Sequence, residues 1–275
     1  MTVRCIRLFG SAVALAVLAL ALPVWLATAL VPGKYDRMHA PSSVAATVDL
    51  FKDAGFDPKV VGRAGFESIP PVFVSRLPED LKSVNDLDLR KSVFVSIVLP
   101  HVLQENERIT RDRERLLRIR RDIRAKRDLR PRDRRWLDQL AERYKTKPMD
   151  IEGLIKRVDI VPPRLAVAQA AQESGWGTSR FARQGNALFG QHAPVGERAI
   201  EAKKAAGVAL RAFENIYGSV RGYIHNLNTH RAYRAFRDMR ASRRESGGII
   251  DGHALADALT RYSEEGTLYV DRLRS

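Results

Sequence analysis

The chain carries a single cysteine, Cys5, in 275 residues. That excludes an internal disulfide framework and any multi-cysteine metal site. Histidine is also sparse. The six histidines are scattered, and His225 and His230 are five positions apart, where two ligands on one helix face need four. No metal and no cofactor are expected. Aromatics make up 7% of the sequence, too few to interleave with basic residues as nucleic-acid readers do. Acidic residues are in deficit as well. There are 32 Asp and Glu against 47 Lys and Arg, for a formal charge of +15. Such a balance calls for an anionic partner: nucleic acid, a membrane surface or an acidic polymer.

The N-terminus bears on the compartment. Arg4 and Arg7 precede an uncharged stretch of 24 residues, Leu8 to Val31, which Lys34 and Asp36 close. As helix it would measure about 36 Å, against about 30 Å for a hydrocarbon core. The flanking arginines predict a cytoplasmic N-terminus and an exported remainder. Residues 1–33 therefore read as a transmembrane helix or signal anchor. Ala27-Thr28-Ala29 is a candidate cleavage site, which would leave the protein periplasmic and secreted instead of anchored at the inner membrane. Cys5 precedes the apolar run, so it is not a lipoprotein cysteine. The membrane segment argues against a nucleic-acid partner.

Residues 34–90 give weak signals. Val44–Ala54 predicts a short helix ending at Gly55. Pro58, Pro70, Pro71 and Pro78 punctuate the residues beyond it, so this stretch reads as an extended, loosely packed connector. Residues 91–147 read as a basic helical region. Pro100 predicts a kink or an early turn in the apolar run Val93–Val102. Ile109, Leu116, Ile119 and Ile123 recur near helical spacing, and Pro131 starts a second helix. From Arg111 to Arg135 there are 13 basic and 5 acidic residues. They form either a solvated face laced with i, i+4 pairs or an arm that binds a polyanion.

The most informative segment is 169–190, QAAQESGWGTSRFARQGNALFG. Val161-Pro162-Pro163 opens a helix, because proline is tolerated in a first turn. The residues after it are alanine- and leucine-rich and apolar nearly all round, as in a buried helix. Gly175 is the expected stop. Glu173 then lies in the last turn. Burial and the negative end of the helix dipole both favour its protonated form, which suits a general acid. The alternative is an exposed glutamate at a frayed end. Downstream, Val220, Tyr223, Ile224 and Leu227 mark an amphipathic helix that Asn226, Asn228, Thr229 and His230 close. These polar groups either cap the helix or contact an acetamide. A last helix is predicted over Ala254–Tyr262.

The run AVAQAAQESGWGTSRFARQGNALFGQ resembles the glucosaminidase domain of bacterial cell-wall hydrolases, glycoside hydrolase family seventy-three. RAFENIYGSVRGYIHNLNTHRAYRAFRDMR and LADALTRYSEEGTLYVDRLRS are similar to its Bax-like branch. The likeness covers roughly residues 148–275. It implies a mainly α (α+β) architecture: a lysozyme-like helical domain with a small β-lobe over a cleft. It also implies hydrolysis of the β-1,4 bond between N-acetylglucosamine and N-acetylmuramic acid in peptidoglycan strands. Glu173 takes the place of the family's acid, and Tyr262 that of a cleft-lining tyrosine. Trp176, Asn186, Phe189 and Gly190 match further motif positions, with Trp176 and Phe189 either sugar contacts or core. Tyr223 and Asn226 are candidate sugar contacts.

The sequence departs from the family at the second carboxylate. Many members place a glutamate before an aromatic-basic strand. Here Glu201, and after it Glu197, stand at plausible offsets in an alanine-rich segment with poor strand signals. A protein base, the substrate's own acetamido group or a lytic transglycosylase route all fit one strong acid. A non-catalytic wall-binding or scaffold protein with a degenerate site is the competing reading.

Overall fold

The computed structural model describes residues 38–61, 69–193, 196, 198–201, 209–263 and 265–274. The expected membrane segment lies outside them, as does Glu197. Among the described residues no helix is long and apolar enough to cross a membrane.

The stretch expected to be a loose connector packs into the core. Helix α1 (Val44–Asp53) starts at Ser43, whose side chain accepts from the Ala46 N–H, and it buries Val44, Val48 and Phe51. Strand β1 (Met38–His39) pairs in parallel with β2 (Phe73–Val74), with Met38 opposite Phe73. Leu77 and Leu81 are buried beyond it. The prolines end regular structure here but do not prevent burial. Asp80 accepts a 2.8 Å hydrogen bond from the Val44 N–H, which ties the two ends of this region together.

Helix α2 (Leu87–Arg124) runs 38 residues from an Asp86 cap and continues through Pro100. The early turn does not form: the helix is continuous through Pro100. Proline inside a helix costs about 3 kcal/mol, whereas each large apolar side chain fully buried contributes about 1.5–3 kcal/mol. Val93, Phe94, Ile97, Val98, Leu99 and Val102 are all fully buried around it, so burial wins. In the outer half Ile109, Leu116 and Ile119 are the apolar side chains that are fully buried. Its charges pair along the helix, as Arg111 does with Glu107 and Arg108 with Asp112. They also pair across to neighbours, as Arg115 does with Asp133 and Arg124 with Glu152.

Helix α3 (Pro131–Tyr144) begins on its proline and stops at left-handed Lys145. Helix α4 (Ile151–Arg157) is capped by Asp150. Helices α5 (Pro163–Ser174) and α6 (Arg180–Gly185) carry the most informative segment. Strands β3 (Ala199–Glu201) and β4 (Ala209–Arg211) form an antiparallel pair with Ile200 opposite Leu210, and His192 bridges to Leu210. This small β-lobe forms despite the alanine-rich sequence. Helix α7 (Ile216–Thr229) is followed by α8 (Arg234–Glu245) and α9 (Gly252–Leu255). The helix expected over Ala254–Tyr262 is only α9 and a 3-10 turn at Ala256–Leu259, and a further helix, α10 (Thr267–Arg274), ends the described chain.

Helix α2 packs against both α5 and α7, and Phe51, Val102, Leu137, Ala170 and Leu227 share one core. A buried polar hub fixes the approach to α5. Arg240, fully buried, donates to the carbonyls of Lys156, Asp159 and Ile160 and to Asn228 Oδ1. Asn106 on α2 grips Val161 through both its amide donor and its carbonyl, at 2.7 and 3.1 Å. Burial alone would raise the Asp159 carboxyl, but Arg240, Arg244 and Arg113 hold it below the usual range. Removing one member of such a hub leaves a buried charge unpaired.

Candidate active site

Helix α5 ends as its sequence dictates, at Gly175 with φ 57°. Glu173 sits half-buried in the last turn. Gly175, Trp176 and Gly177 then take three successive left-handed conformations, with φ of 57°, 55° and 79°. That conformation suits glycine and costs a tryptophan. Packing holds Trp176 there: its ring meets Phe94 edge-on at 5.9 Å, and Lys91 Nζ lies 5.3 Å from its centroid. A Cβ on Gly177 would stand 2.8–3.0 Å from Leu77, Leu81 and Phe94, so the turn is pressed onto α2. Trp176, expected as a sugar contact or core residue, is an anchor of this turn and does not line the cleft that Glu173 faces.

The chain returns past Glu173 after α6. Asn186, left-handed at φ 51°, donates from Nδ2 to the carbonyls of Phe213 and Glu214 at 3.2 Å each. It locks the return loop to the stretch between β4 and α7 and does not reach the cleft lining. Gly190 follows at φ 62°, and a Cβ there would lie 2.9 Å from Glu173 Oε2. Only glycine lets the backbone pass so close to the acid.

Behind Glu173 runs a relay of hydrogen bonds. The Tyr223 hydroxyl donates to Gln169 Oε1 at 2.6 Å, and Gln169 Nε2 donates to the Tyr269 oxygen at 2.8 Å. Tyr269 in turn hydrogen-bonds the Glu173 carboxyl. Gln169 lies one turn before Glu173 on α5, which places both on the same side of the helix. The aromatic rings pack as one group. Phe189 stacks on Tyr223 at 4.0 Å, and Tyr262 stacks on Tyr269 at 5.6 Å. The Tyr262 hydroxyl donates to the Phe189 carbonyl at 2.9 Å, which pins the loop that carries Gly190.

In front of Glu173 opens a cavity of about 830 Å³, lined by Phe189, Gly190, Gln191, Asn226, His230 and Tyr262 among others. Burial raises the Glu173 carboxyl above its ordinary value, against the Tyr269 hydrogen bond and the charge of Arg272, which pull it down. Burial likewise lifts Tyr262 well above the usual phenol range, with Tyr223, Tyr269 and Glu173 adding to it, so its hydroxyl stays protonated. The arrangement offers one carboxyl whose protonated form burial favours, open to a ligand on one side.

The structure thus brings Glu173, Tyr262, Phe189 and Asn226 to one cleft. Tyr223 is fully buried behind the wall and acts through Gln169. Glu201 is exposed on β3, with its backbone carbonyl accepting from Arg180, and is not part of the cleft lining. Glu197 lies outside the described residues. Sequence reasoning missed Tyr269 and Gln169. The four-residue spacing of Gln169 and Glu173 was the available signal for one of them. Gln191 Oε1, at the cleft, is buried without a hydrogen-bond partner among the described residues. No group of histidine, cysteine or carboxylate side chains able to hold a metal occurs among the described residues.

Residues 151–265 match the Glucosaminidase family, described as mannosyl-glycoprotein endo-beta-N-acetylglucosaminidase. The chain is 34% identical over 201 residues to "Protein bax" of Escherichia coli (strain K12), covering 71% of each protein. No solved structure matches it.

Proposed function

The chain belongs to the glucosaminidase family, and from that premise we propose that it is a peptidoglycan hydrolase cleaving the β-1,4 bond between N-acetylglucosamine and N-acetylmuramic acid. The observation that carries this reading is Glu173: a half-buried carboxyl with a raised pKa, at the end of α5, facing a cleft under a small β-lobe. Such a helical domain with a roofed cleft is what a lysozyme-like hydrolase requires. Glu173 gives its proton to the glycosidic oxygen as the bond to the departing sugar breaks. Tyr269 holds the carboxyl's orientation, and Tyr262 holds the loop opposite.

The positive charge on the anomeric carbon needs a second group. Glu201, on the β-lobe, and Glu197 are the protein candidates, acting as base across the sugar at about 6.5–9.5 Å from the acid. A second reading rests on the exposed position of Glu201, away from the cleft lining. In it the substrate's acetamido oxygen closes onto the anomeric carbon, and water later opens the ring so formed.

The proposal extends to the compartment. The uncharged stretch from Leu8 to Val31 behind Arg4 and Arg7 would export the domain and tether it to the inner membrane. A reporter fused after Ser275 and active only in the cytoplasm would refute that. Mass spectrometry of digested wall material tests the chemistry. Products ending in reducing N-acetylglucosamine support it, while reducing N-acetylmuramic acid, anhydro sugars or an unchanged wall would each overturn it.

A further inference from the structure

A second cavity, of about 470 Å³, adjoins the cleft of Glu173 and shares Arg211, Gly222 and His225 with it. Gly222 lies in both walls, and a Cβ there would stand 3.0 Å from Phe213 Cε1 and 3.3 Å from Gln191 Oε1, so α7 packs closely on these two side chains where the cavities adjoin. The walls beyond the join are strongly basic. Arg108, Arg143, Arg211 and Arg221 line the second cavity, and Lys145 lines the first.

The nearby acids pair with Arg108 and Arg143. Glu105 is held by Arg108 at 2.7 and 3.0 Å and by the Tyr217 hydroxyl at 2.9 Å. Asp112 takes Arg108 at 2.9 Å and Arg143 at 3.5 Å. Arg221 and Lys145 are exposed and make no ion pair among the described residues. The imidazole of His225 stands where the two cavities meet. Burial lowers its pKa, and Lys145 and then Arg221 lower it further, so the ring is neutral and both cations bear on this one point. A walled groove lined by one sign of charge concentrates ligands of the other.

We infer that this basic extension is a carboxylate-binding subsite, which takes the anionic substituent of a glycan strand whose neighbouring sugar is seated at Glu173. The inference rests on the peptidoglycan reading above and deepens it. N-acetylglucosamine is neutral. N-acetylmuramic acid carries a lactyl ether ending in a carboxyl, free or continued as a peptide that bears further carboxylates. A strand lying along both cavities presents an uncharged sugar to the acid and a carboxylate to Arg221 and Lys145. The subsite would thereby separate wall glycan from an uncharged polymer of N-acetylglucosamine, and it gives the chain's excess of base a specific use.

The test uses the full chain and two wall preparations: native wall, and wall whose carboxyls have been converted to amides with carbodiimide and ammonia. Binding is read by co-sedimentation of the Glu173→Gln protein, and turnover with the active protein. Replacing Arg221 by Gln and Lys145 by Asn, which tolerates the left-handed backbone at 145, removes both cations. The double variant should bind native wall about five- to tenfold more weakly. It should raise KM by the same factor with kcat kept, and behave like the unsubstituted protein on amidated wall. Amidation alone should cost the unsubstituted protein that factor, as should raising the salt concentration. Equal binding of the two walls by the unsubstituted protein, or an equal loss by the double variant on both, overturns the subsite. Circular dichroism checks the fold, and each single variant should show part of the loss. Absence of turnover in every protein, with the binding difference intact, would count against the hydrolase reading and leave the subsite standing.

Discussion

Replacing Tyr269 by phenylalanine isolates the relay behind the acid. The ring and its stack on Tyr262 remain, and only the hydroxyl is lost. That hydroxyl hydrogen-bonds the Glu173 carboxyl and pulls its pKa down against the effect of burial. A hydrogen bond to a charged group contributes about 1.5–3 kcal/mol, and one pH unit corresponds to about 1.4 kcal/mol. Glu173 is half-open to the cleft, so the lower end applies, and the carboxyl should titrate about one pH unit higher. The sign is set by which form loses its partner. The carboxylate is the form that Tyr269 stabilises, so its removal favours the acid. The acid is the working form, so the alkaline limb of kcat/KM moves to higher pH by that amount. Arg272 is the other group drawing the carboxyl down and is unchanged. Gln169 Nε2 also loses its acceptor, a buried loss worth about 1–3 kcal/mol of stability, which a thermal melt reads separately. The assay is kcat/KM for wall solubilisation across pH. A limb that stays in place, or moves to lower pH, would refute the relay.

Other consequences are as direct. Gly190→Ala places a methyl 2.9 Å from Glu173 Oε2, and a displacement of about 1 Å can cost about 100-fold, so kcat should fall by that order while circular dichroism stays native; an active variant would show the approach to be slack. His101 donates from Nε2 to the Val74 carbonyl at 2.9 Å, and burial lowers its pKa from 6.5 to about 4. The unfolded chain therefore binds the extra proton between those values, and stability should fall with falling pH across that window by about 1.4 kcal/mol per unit; an unchanged slope in His101→Gln by denaturant titration would contradict this. If Glu201 or Glu197 is the general base, its alanine variant should lose about 10²–10⁴-fold in rate. Near-normal rates for both on one purified wall would assign the second role to the acetamido group.

Much of the site was legible because it is local. Proline, alanine and glycine over 161–177 dictate where α5 starts, why it is buried and where it stops, and thus where Glu173 stands. The spacing of Val220, Tyr223, Ile224 and Leu227 likewise fixes the buried face of α7. What the sequence hid depends on partners far along the chain. Trp176 reads as a sugar contact or a core residue, and only Phe94 and Lys91, far off on α2, show what its ring packs on. Asn186 reads as a ligand group until its amide is found on the Phe213 and Glu214 carbonyls. Tyr269 lies in a short helix whose polar sequence, TLYVDRLR, turns only Tyr269 and Val270 fully inward. The stretch of 34–90 reads as a connector because its prolines interrupt every period, yet Leu77 and Leu81 are buried by contacts that no local pattern announces. Pro100 reads as a candidate turn for the same reason: its cost is local and the burial that offsets it is tertiary.

The claim that matters most is that Glu173 is the acid of a glycosidase. The direct measurement is mass spectrometry of purified peptidoglycan after incubation with the unsubstituted protein and with Glu173→Gln, both shown to be folded. Glutamine keeps the size and the hydrogen bond from Tyr269 but has no proton to give. The unsubstituted protein should release fragments ending in reducing N-acetylglucosamine, and the variant should release about 10²–10⁴-fold less while still sedimenting with the wall. Equal release of the same fragments by both proteins would contradict the assignment.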